Sequence, residues 1–77
     1  MESFPLEPKL YYYAGLGYNV RENYKKAKEM LEMGLDYVVE NIQLEADFNH
    51  QLGIASQKLG DTKKAAAYFA KANSLSK

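Results

Sequence analysis

Residues 44–75 read LEADFNHQLGIASQKLGDTKKAAAYFAKANSL, and this stretch decides the fold. Leu44, Phe48, Leu52, Ala55 and Leu59 recur at three- and four-residue steps, the spacing of one face of an α-helix. Ala65, Tyr68, Phe69, Ala72 and Leu75 repeat the pattern further on. Gly60-Asp61 separates the two stripes. Glycine takes the left-handed conformation that ends a helix, and aspartate accepts from the free amides that begin one. The spacing therefore predicts helices over about 44–59 and 62–75, joined as a tight antiparallel hairpin.

The first half of the chain carries a fainter version. Leu10, Tyr11, Ala14 and Tyr18 stripe a helix over about 9–20. Tyr24, Ala27, Leu31, Gly34, Leu35 and Val38 stripe a second over about 24–41, with Asn23 as its expected cap. Val, Ile and Thr are sparse and no stretch alternates for long, which argues against strands. The expected fold is all-α, an antiparallel array of about four helices. Residues 1–7 read as a tail, 8–43 as one hairpin and 44–77 as the other.

The two halves resemble one another and a known family. In the second, Leu52-Gly53, Gly60, Ala65, Phe69 and Ala72 fall at the spacing of the tetratricopeptide repeat (TPR), a helix–turn–helix unit of about 34 residues. Gly53 and Ala65 are small enough for close helix approach, Phe69 is the large knob, and Ala72 leaves room for a neighbour. In the first, Pro8, Tyr11, Ala14, Gly15, Tyr18, Tyr24, Ala27, Leu31 and Gly34 resemble the same pattern. Proline suits a first helical turn, where its missing N–H has no partner to lose. Two departures stand out. Glu22 occupies the place of the turn glycine, so a distorted first turn is expected. The copies lie 38 residues apart rather than about 34, and lengthening the second helix by one turn would absorb the difference.

The resemblance implies a fragment of an α-solenoid that binds another protein or peptide. In such proteins the first helix of each hairpin lines a concave groove. The matching residues here are Lys9, Tyr12, Leu16, Asn19 and Val20, then Asp47, His50, Ile54, Gln57 and Lys58. Members that grip a peptide carboxylate use Lys and Asn where this chain has Tyr12, Leu16, His50 and Ile54, so a carboxylate clamp is not expected. The composition favours an apolar or aromatic peptide. Tyr11, Tyr12 and Tyr13 point about 100° apart on a helix, so one faces the hairpin interior, one the groove and one elsewhere. About three repeats usually make a stable array, and two are present. Homo-oligomerisation through the apolar ends, or membership of a larger regulatory or sensor protein as its last repeats, are the alternatives.

Composition narrows the function classes. There is no cysteine, which excludes disulfides, thiolate metal sites and cysteine nucleophiles. The one histidine, His50, excludes a site of several imidazoles. It lies near Glu45 and Asp47, but nothing else resembles a nucleophile or an oxyanion site, so no catalysis, cofactor or metal is expected. Ten basic and ten acidic residues balance to zero, against the basic excess of a nucleic-acid binder. The clusters Lys25-Lys26-Ala27-Lys28 and Lys63-Lys64 read as solvated helix surface. No run approaches the roughly 18 apolar residues of a membrane span, and the first residues lack the pattern of a signal peptide. A cytoplasmic location is the expectation. Residues 1–43 carry a net −2 and residues 44–77 a net +2.

Overall fold

The computed structural model describes residues 7–75. Four helices follow in order: α1 (Pro8–Val20), α2 (Tyr24–Leu35), α3 (Ile42–Lys58) and α4 (Thr62–Leu75). Among the described residues there is no strand, and the fold is all-α, built of helical hairpins. The expected tail lies, apart from Glu7, outside the described residues. Helix α2 packs on α1 and α4 on α3, while α3 also seats against both α1 and α2.

The internal repeat is written in the backbone hydrogen bonds of the two hairpin turns. The amides of Arg21 and Leu59 donate to Gly17 and Ala55 carbonyls at 3.1 and 3.0 Å. Those of Glu22 and Gly60 donate to Asn19 and Gln57 at 3.0 and 3.1 Å, and those of Asn23 and Asp61 to Tyr18 and Ser56 at 2.8 and 2.9 Å. The amides of Ala27 and Ala65 then return to Asn23 and Asp61, each at 3.0 Å. Every pair is 38 residues apart. The closing bonds are those of the Schellman helix end.

This corrects the expectation of a distorted first turn. Glu22 takes φ +64° and Gly60 φ +88°, so glutamate adopts the left-handed conformation that glycine adopts in the second copy. For an L-residue that conformation costs about 1–2 kcal/mol, which the repeated hydrogen bonds and the packing of both helices offset.

Helix α2 is also shorter than expected. It stops at Leu35, and the extra residues form a connector over 36–41 instead of a further helical turn. Gly34 weakens the helix end, and the β-branched pair Val38-Val39 favours extended backbone. Tyr37 stacks at 5.7 Å on Tyr11 and holds the connector against α1. Glu40 reverses the chain at φ +51°, and Asn41 caps α3 by accepting the Leu44 amide at 3.0 Å. Helix α3 therefore begins at Ile42, two residues before its expected start. Asp61 caps α4 as expected, accepting from the Lys64 amide at 3.2 Å. Asn23, the expected cap of α2, makes no side-chain cap bond.

Ala27, Leu31, Leu44, Phe48, Leu52 and Ala55 form the core, with Tyr11, Tyr12, Tyr18, Tyr24, Leu35, Val38 and Tyr68 packed around it. Phe48 is fully buried. Two members of the expected stripes are not core residues: Leu10 is 56% exposed and Leu59 47%. Close helix approach depends on glycine. A Cβ on Gly15 would lie 2.4 Å from Leu31, and one on Gly53 2.6 Å from the Phe69 ring. These glycines, and the side chains that fill their hollows, are again 38 residues apart.

Candidate interaction surface

Two helices, α1 and α3, carry all ten residues expected to line a groove. The two helices are joined at Asn19, whose Nδ2 donates to the Gln51 carbonyl oxygen at 3.2 Å and to Gln51 Oε1 at 2.9 Å. Asn19 is thus buried in the junction, not presented on a surface, which corrects its expected role. Its Oδ1 has no hydrogen-bond partner, as also Ser56 Oγ in α3.

The other nine spread over three environments. Lys9, Val20, His50, Gln57 and Lys58 are exposed, Val20 to 78%. Leu16, Asp47 and Ile54 are half-buried. Tyr12 is half-buried because its ring meets Phe48 edge-on at 5.4 Å, so it serves the junction as well as the surface. Burial, the Asp47 carboxylate and the neighbouring Tyr13 push the Tyr12 phenol above its ordinary pKa. Asp47 accepts from Gln43 Nε2 at 3.0 Å. Of the three consecutive tyrosines, Tyr11 packs against Gly34 inside the first hairpin, Tyr12 faces α3, and Tyr13 stands 62% exposed.

His50 turns away from the α1 side. Its ring meets Phe69 of α4 edge-on at 5.6 Å. The two rings, with Gln43, Ala46, Asp47 and Ala72, line an open depression of about 330 Å³ between α3 and α4. A second depression, about 360 Å³, lies on α1 between Tyr13, Ala14, Gly17, Tyr18 and Arg21. Asp47 and His50 of the expected groove set line the first depression, but its α4 side and the whole of the second were not among the expected groove features. Their residues come from both helices of a hairpin or from its outer side, whereas groove matching draws on one face of the first helix. Gln51 was missed for another reason: a glutamine on a polar face gives no sign that a buried asparagine waits opposite.

Helices α2 and α4 are bridged by Tyr68, whose hydroxyl donates to Glu32 Oε2 in a long 3.5 Å contact. Burial and the Glu32 carboxylate raise the Tyr68 pKa, with Asp61 adding a smaller push. Among the described residues no three His, Asp or Glu side chains form a group that could hold a metal ion. No described helix is long and apolar enough to cross a membrane.

The chain matches no protein-family model, no curated protein and no solved structure.

Proposed function

We propose that this chain is a non-enzymatic, cytoplasmic protein–protein interaction module made of two TPR-like hairpins. The observation that carries the reading is the 38-residue repeat of turn hydrogen bonds and glycine-filling contacts. A chain that stacks near-identical hairpins aligns successive first helices, and aligned first helices make an extended binding face.

The face proposed for the partner runs over α1 and α3 through Leu16, Val20, Ile54, Gln57 and Lys58. Apolar side chains sit at its centre and amide and ammonium groups at one side. That chemistry fits a short peptide with an apolar or aromatic anchor, in helical or extended form. Val20, an exposed β-branched residue at a helix end, contributes nothing to the core and is the natural anchor contact.

Selection of peptides from a random displayed library on the immobilised protein tests this. Enriched peptides should shift the amide NMR signals of Leu16, Val20, Ile54 and Lys58. Val20→Glu should weaken them at least about tenfold while leaving the helical spectrum unchanged. No enrichment, or shifts confined to α2 and α4, would sink the groove reading.

A further inference from the structure

The repeat extends from the turns to the contact between hairpins, and it leaves a matching surface open at each end. Within the chain, Phe48 of α3 seats on α1 and α2. Its ring meets Tyr12, and a Cβ on Gly34 would lie 2.7 Å from its Cζ. Thirty-eight residues after Tyr12, Leu31 and Gly34 stand His50, Phe69 and Ala72. These three line the open depression between α3 and α4. That depression is the seat of Phe48 repeated one hairpin on, and no described residue takes the place of Phe48 there.

The opposite end carries the matching knob. Thirty-eight residues before Phe48 and Gln51 stand Leu10 and Tyr13. Phe48 is fully buried, whereas Leu10 is 56% and Tyr13 62% exposed. The exchange of sizes is compensating: Leu10 is smaller than Phe48, and Ala72 is larger than Gly34. The polar pair repeats as well. Asn19 holds Gln51 inside the chain, and the equivalent partners across the open ends are Gln57 and Tyr13, both exposed. The half bearing the knob has a net −2 charge and the half bearing the seat a net +2.

We infer that a second copy of this chain docks head to tail, Leu10 of one copy entering the His50–Phe69–Ala72 seat of the next. Tyr13 then lies against Gln57, taking the place that Gln51 has against Asn19. The occupant is a second copy because one chain presents both halves of an interface that it already makes internally. Such a contact joins unlike surfaces, so each added copy leaves a free knob and a free seat and growth continues. This inference does not rest on the peptide groove, with which it shares only Gln57. It concerns the ends of the array, and its test needs no peptide.

The test is solution mass by light scattering and sedimentation, from about 1 μM to about 1 mM chain. The mass of the unmodified protein should rise with concentration and pass that of a dimer. Leu10→Glu removes the knob and His50→Glu spoils the seat. Both positions are exposed, and circular dichroism checks that the helices persist. Each variant alone should associate at least about tenfold more weakly than the unmodified chain. Mixed in equal amounts they should form a one-to-one pair that grows no further, since one supplies an intact seat and the other an intact knob. Tyr13→Glu and Gln57→Glu give a second, independent pair. An unmodified chain that stays monomeric throughout, a variant that still assembles alone, or a mixture that does not pair would overturn the proposal.

Discussion

Gly53 and Gly17 are both helical glycines with opposite surroundings. A Cβ on Gly53 would stand within 2.6–2.9 Å of three Phe69 ring atoms, so alanine there forces the hairpin apart. Gly17 has no such neighbour within 4 Å. Gly53→Ala should therefore cost about 1–3 kcal/mol, as overpacking does. Gly17→Ala should gain about 0.5–1 kcal/mol from helix propensity. Urea midpoints of the two variants check the contrast; equal shifts would mean that Phe69 gives way freely. Gly53 as a point of close approach and Phe69 as the hairpin's large knob were legible in the sequence at repeat spacing; that the one sits against the other is seen in the structure. The Asn19–Gln51 hydrogen bonds were not legible in the sequence. Both residues are polar, and polarity alone reads as surface.

Helix ends show where sequence reading works and where it slips. Asp61 and Asn23 occupy equivalent positions and read as equivalent caps. The structure gives a side-chain bond to Asp61 and none to Asn23. The cap that does form in the middle of the chain belongs to Asn41, inside the segment expected to be helical. Asn41→Ala should cost about 1 kcal/mol, while Asn23→Ala should cost a few tenths at most. Thermal unfolding of the pair measures this directly, and similar losses would contradict the assignment. The four extra residues of the first repeat were counted correctly but placed in the wrong element. A stripe at helical spacing continues through Leu35 and Val38, and periodicity cannot see that Tyr37 finds Tyr11 and stops the helix. The all-α hairpins themselves were plain from the stripes and from Gly60. The groove was only partly so, since family spacing places side chains on a face without saying which of them the next helix covers.

At the scale of the molecule, two tyrosines tie one hairpin to the other: Tyr12 through Phe48, and Tyr68 through Glu32. Both phenols titrate above their ordinary value, Tyr12 chiefly and Tyr68 first because of burial. The folded state therefore holds these protons more tightly than the unfolded chain does. Their contribution is complete below the ordinary tyrosine pKa of about 10 and is lost as pH rises through the folded values. Stability should fall between about pH 9 and about pH 11, and the double substitution Tyr12→Phe with Tyr68→Phe should flatten that fall. Urea denaturation at the two pH values is the measurement, and an unchanged slope would refute the assignment. Helix α3, finally, touches all three other helices, whereas α1 and α4 lie at opposite ends of the contact order. Either end helix can peel away and return while the remaining three keep a shared centre. Opening α3 leaves only the packing of α1 on α2 and the long Tyr68–Glu32 contact of α4 with α2. The molecule should thus fray from its ends inward, and hydrogen exchange should find its slowest amide protons in α3.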